Sequence, residues 1–202
     1  TDDTTAIQNA INAVYASSKQ GGTIFFPQGI YIINGAFSAA NNSQLGLPTV
    51  TSTAGFDKEQ QPVIVFRGVY DHKNTSYYRI PTNGSIIYST KQGSSGNSII
   101  SGKDVASSGS FTHIQVEVYD LLFRTVQNPV HSVLNFAFIN AAKGQNIACD
   151  TAGLVSDDIS QPTGTTSYCL IPPGDLNNGT SSWTSIRSRG FYNGIGIGEH
   201  MK

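Results

Sequence analysis

Charge is scarce in this sequence, and several classes of function go with it. Asp, Glu, Lys and Arg make up 12% of the 202 residues and the net charge is −1, roughly half the charged share of an ordinary domain. Lys and Arg form no cluster, so the phosphate-neutralising patch that nucleic-acid binding requires is missing. No apolar run approaches a membrane span, and no segment reads as a signal peptide. Compact catalytic signatures are absent too. There is no P-loop, no Gly-x-Ser-x-Gly nucleophile elbow, no His-Glu-x-x-His and no Cys-x-x-Cys. The four histidines, His72, His113, His131 and His200, have no metal-ligand spacing, so neither a metal nor a cofactor is expected.

What is abundant is Ser, Thr, Asn and Gly, a surface suited to neutral polar partners. Four Asn-x-Ser/Thr sequons, at Asn41, Asn74, Asn83 and Asn178, are about what such a composition yields by chance. The length suits one sizeable core and demands no second domain.

Residues 1 to 33 carry the densest local information. Ala6, Ile7, Ala10, Ile11, Val14 and Tyr15 recur at helical spacing, and Asp2, Asp3, Thr4 and Thr5 stand where side-chain oxygens can accept first-turn amides. The spacing predicts a helix over Asp3 to Ser18, stopped by Gly21-Gly22. A short strand, a Pro-Gln-Gly turn and a second strand over Ile30 to Ile33 follow.

The order Asp-Asp-Thr helix, then Gly-Gly-Thr-x-x-x-Pro-x-Gly-x-Tyr, resembles the N-terminal opening of the right-handed parallel β-helix family of pectate-lyase-like enzymes and bacteriophage tailspikes. The match covers about the first sixth of the chain. It lacks the Gly-Asp-Gly turn that usually comes just before, which suggests a piece of a longer β-helix. The resemblance implies an all-β, right-handed single-stranded parallel β-helix, with an N-terminal capping helix over 1–22 and rungs with long loops over 23–202. It also implies an extracellular or virion-borne protein that binds polysaccharide and degrades it as a glycoside hydrolase or lyase. The alternative is a non-catalytic structural module of a tail spike or adhesin. Homo-oligomerisation stays open, as a trimer if the chain is a tailspike.

Short strands are expected at Val63 to Phe66, Ser85 to Tyr88, Asn97 to Ile100, His113 to Tyr119, Ser132 to Ile139, Gln145 to Cys149, Ser167 to Ile171, Ser182 to Ile186 and Gly190 to Ile197. A solenoid suits them, and a β-sandwich fits the same strand count. Alternation puts Ile114, Val116 and Val118 on one face and Gln115, Glu117 and Tyr119 on the other; Leu134, Phe136 and Phe138 likewise share a face. Polar loops at Ala39 to Gln61, Asp71 to Asn83, Lys103 to Phe111 and Ser156 to Ser167 are natural places for binding residues. Cys149 and Cys169 lie 20 positions apart. The resemblance would put them near one rung, where stacked positions are about 4.8 Å apart. That distance permits a disulfide without fixing its direction, so free thiols and a disulfide both stay open.

Glycoside hydrolysis usually needs a carboxylic acid and a carboxylate. Of the many Asp and Glu residues, the adjacent pair Asp157 and Asp158 stands out, because neighbouring carboxylates perturb each other. With Glu199 they are the candidate catalytic residues. Arg124, Arg187 and Arg189 could hold a sugar carboxylate, although pairing with Asp is their commoner use. In Gly194-Ile195-Gly196-Ile197-Gly198 an extended strand with both isoleucines inward would leave Gly194, Gly196 and Gly198 as bare outward backbone. Tyr192 and His200 would end that strip, a floor for a sugar chain; the competing use is close packing against the glycines.

Overall fold

The computed structural model describes residues 1–18, 21–49, 61–70, 83–102, 112–126, 129–151, 167–173 and 180–196. The expected helix forms as α1 (Thr4–Ser18), with Ile7 and Ile11 buried on the stripe that the spacing defines. The Asp3 carbonyl accepts the Ile7 N–H at 3.0 Å and so opens the helix. Polar side chains at its start mostly reach across to the second strand rather than into the helix. Asp3 Oδ2 accepts the Ile32 N–H at 2.9 Å, and Thr4 Oγ1 accepts those of Asn34 and Gly35 at 3.0 and 2.9 Å.

Twelve strands follow: β1 (Gly21–Phe25), β2 (Gly29–Ile33), β3 (Ser43–Gly46), β4 (Val63–Arg67), β5 (Ser85–Ser89), β6 (Ser98–Ser101), β7 (Thr112–Tyr119), β8 (Leu121–Arg124), β9 (Ser132–Asn135), β10 (Ile139–Asp150), β11 (Leu170–Ile171) and β12 (Thr180–Arg189). All pairings between these strands are parallel. The larger sheet has the order β1-β4-β7-β10-β8-β5-β2, with β12 also on β10; the smaller has the order β11-β9-β6-β3.

This corrects the expected fold class. Instead of an all-β, single-stranded β-helix, seven parallel strands run through one continuous hydrogen-bonded path, a half-barrel, with a second parallel sheet and a packed helix, an α/β arrangement. The physical cause is β10. Its 12 residues pair with β7 through Ile139 to Gln145 and with β8 through Ala148 to Asp150, which fuses two ladders into one sheet. The sheet bends where Asp120, Asn146 and Ser185 stack with φ of 57°, 55° and 55°. A left-handed residue within β10, within β12 and between β7 and β8 turns the chain, and pairing continues on both sides of it. Asn146 Nδ2 donates to Asp120 Oδ1 at 2.9 Å across this corner.

Inward side chains from both sheets and α1 form one core, among them Ile11, Ile33, Leu45, Phe66, Val118, Phe123, Leu134 and Phe136. Ile114, Val116 and Val118 are fully buried as their alternation implies, whereas Phe138 is half-buried. Strands β3 and β8 escape the sequence reading, and the run 190–196 forms only a parallel bridge between Ile195 and Leu170. Cys149 and Cys169 are joined in a disulfide, Cα atoms 5.6 Å apart and both residues buried. Among the described residues no helix is long and apolar enough to cross a membrane.

Candidate functional site

The outer face of β1, β4, β7, β10 and β12 is the most organised polar surface among the described residues. Registered pairing aligns Phe25, Arg67, Tyr119, Gln145 and Thr184 in one row across five strands. A parallel row holds Thr23, Val65, Glu117, Lys143 and Ser182. Period-2 alternation makes this face: the interleaved Ile24, Phe66 and Val118 are buried, while Phe25 is 57% exposed.

Within these rows the side chains are mutually ordered. Lys143 Nζ lies 2.9 Å from Glu117 Oε1, and the Tyr119 hydroxyl donates to Glu117 Oε2 at 2.9 Å. The Arg67 guanidinium sits 5.0 Å over the Tyr119 ring, a cation–π contact. Partial burial and the hydrogen bond to Glu117 both push the Tyr119 phenol up from its ordinary value. The hydrogen bond and charge of Glu117 raise Lys143, which stays a cation at neutral pH. Beside this cluster, Gln115, Glu117, Ala141, Lys143, Ser181 and Ser182 line a groove of about 230 Å³. Such a volume is below the roughly 300–1,000 Å³ of enclosed small-molecule sites, so the groove suits one segment of a longer ligand. Glu117 is the sole carboxylate of the two rows, and both its oxygens are engaged. Among the described residues of this face, Glu117 therefore meets no second carboxylate.

The residues singled out from sequence fall elsewhere. Asp157, Asp158, Glu199, Gly198 and His200 lie outside the described residues. Tyr192 is 54% exposed, yet over the described residues 194–196 the bare outward strip is not formed. Gly194 has φ +60°, which breaks the extended alternation, and Ile195 turns outward with 52% exposure. Gly196 is buried, its N–H donating to the Leu170 carbonyl at 2.7 Å, and a Cβ there would come within 2.8 Å of the Tyr168 ring. Close packing, not a bare floor, explains this glycine.

Among the arginines, Arg189 grips the fully buried Asp150 with Nε and Nη2, at 3.2 and 3.0 Å, while Arg124 Nη2 lies 3.8 Å from the same carboxylate. These two side chains are structural partners of Asp150. His131 is buried within the fold, and no group of three metal-ligating residues occurs among the described ones. The alternation of β7 already set Gln115, Glu117 and Tyr119 together. Phe25, Arg67 and Lys143 carry no local signal, since only pairing between distant strands brings them there. In class, the chain is an α/β protein built on parallel sheets. No family model, no curated protein and no solved structure matches it.

Proposed function

We propose that the chain is a polysaccharide-binding module of an extracellular or virion-borne protein, with the glycan lying across β1, β4, β7, β10 and β12. The observation that carries this reading is the row Phe25, Arg67, Tyr119, Gln145 and Thr184. Two rings two strands apart, about 9–10 Å on the usual strand spacing, offer apolar surface for sugar faces, Phe25 openly and Tyr119 where Arg67 leaves its ring uncovered. Arginine, amide and hydroxyl groups between and beside them match sugar hydroxyls. The likeness of residues 1–33 to polysaccharide-acting enzymes and tailspikes points the same way, as does a disulfide of the kind that persists in oxidising surroundings. The lone, fully engaged Glu117 favours binding over cleavage on this face. Degradation of the glycan would fall to carboxylates outside the described residues, such as Asp157 and Asp158.

Retention on a panel of immobilised neutral and acidic polysaccharides tests the reading. Phe25→Ala and Tyr119→Ala should each weaken binding by about 1–2 kcal/mol, in line with stacking of flat ligands on aromatic rings. A folded double variant that binds as the parent does, or a parent that binds no glycan of the panel, overturns it.

A further inference from the structure

Three Asn-Gly pairs lie among the described residues, at positions 34, 83 and 193, and their surroundings differ sharply. The Gly35 N–H is held by Thr4 Oγ1 at 2.9 Å, while the Asn34 side-chain oxygen accepts from Thr90 Oγ1 at 3.0 Å. Asn193 is half-buried and its N–H donates to the Ser167 carbonyl at 3.1 Å. Of Asn193 and Asn83 only Asn83 is exposed, and the Gly84 N–H, like that of Gly194, donates to no described residue. The bridge between Tyr70 and Gly84 runs through Ser85, whose N–H donates to the Val69 carbonyl at 3.0 Å, so the bridge itself does not engage the Gly84 nitrogen. Gly84 is itself buried, and what leaves its nitrogen within reach of the exposed Asn83 amide is that it has no side chain of its own.

We propose that Asn83 is a built-in site of spontaneous deamidation, converting to aspartate or isoaspartate while the protein is folded. The Gly84 nitrogen, losing its proton to a solvent base, attacks the Asn83 side-chain carbonyl carbon. The bond to the side-chain nitrogen breaks, and that nitrogen takes up the proton and leaves as ammonia. Water then opens the cyclic imide at either carbonyl. The sum is amide plus water giving carboxylate plus ammonium, with no oxidant or reductant involved, and the protein gains one negative charge.

The position gives the change a structural effect. The Gly84 carbonyl accepts the Gly29 N–H at 3.0 Å, and Ser85 Oγ donates to the Phe26 carbonyl at 2.6 Å. An isoaspartyl linkage inserts a main-chain methylene one residue from these bonds. The aged form therefore loosens the junction between β5 and the turn joining β1 to β2.

The test is incubation of the folded full chain in mildly alkaline buffer, followed by peptide mapping and enzymatic methyl-labelling of isoaspartate. Asn83 should convert about tenfold faster than Asn34, since Asn34 must first break the bond from Gly35 to Thr4. In Asn83→Gln the label on the peptide carrying position 83 should vanish, because glutamine does not close the five-membered ring. Equal rates at Asn83 and Asn34, faster loss at Asn34, or an unchanged label in Asn83→Gln overturns the proposal.

Discussion

His131 is fully buried, and both its ring nitrogens are bonded. The Gly93 N–H donates to Nδ1 at 3.0 Å, so the neutral ring carries its proton on Nε2, which lies 3.0 Å from Thr125 Oγ1. Burial pushes its pKa down from 6.5 to about 4. An unfolded chain binds the proton more tightly, so this contribution to stability is complete above pH 6.5 and is lost as pH falls towards 4. The loss amounts to about 3 kcal/mol at most. Urea unfolding across that window should show the fall, and His131→Phe, although less stable throughout, should show a shallower one. A second test at this scale concerns Ser185, whose φ of 55° costs a serine more than an asparagine. Ser185→Asn should extend the stack begun by Asp120 and Asn146 and add about 1 kcal/mol. Asn146→Ala should lower the urea midpoint by removing both the favoured conformer and the bond to Asp120.

Two elements bear most of the architecture, and they differ in how plainly the sequence announces them. The helix α1 is written in its apolar stripe, and Ile11, at 0% exposure, locks it to the common core. Ile11→Ala should cost about 2–5 kcal/mol. Ile7→Asp together with Ile11→Asp should abolish cooperative melting in a calorimeter, since two carboxylates would enter the apolar core. A double variant that melts as the parent does would separate the helix from the core. The strand β10 is the opposite case. Its first half, Ala141-Ala142-Lys143-Gly144, has small side chains and weak alternation, so the pattern exposes only Gln145 to Cys149. What makes it a strand is hydrogen bonding to β7 on one side and β12 on the other.

Over the whole molecule, the disulfide ties the end of β10 to the start of β11 across 20 residues. Closing a loop of that length restricts the unfolded chain by about 3 kcal/mol. The double variant Cys149→Ala, Cys169→Ala should lose about that much in urea titration and keep the same fold. Both sulfurs are buried, so reductant should act on the native protein only after it opens.

Local order is legible in the sequence by itself: helix α1 from 3.6-residue spacing, the inner and outer faces of β7 from alternation, and a chain poor in charge. Such signals depend on neighbours a few residues apart, which every copy of the chain must satisfy. Tertiary structure alone decided the rest. Whether ladders stay separate or fuse through β10, whether Cys149 meets Cys169, whether Gly196 faces solvent or Tyr168, and whether Phe25, Arg67, Tyr119 and Lys143 share a surface all depend on pairings between segments tens of residues apart. Those registers are set by the summed burial of the core and by three left-handed corner residues. No short window of sequence contains either.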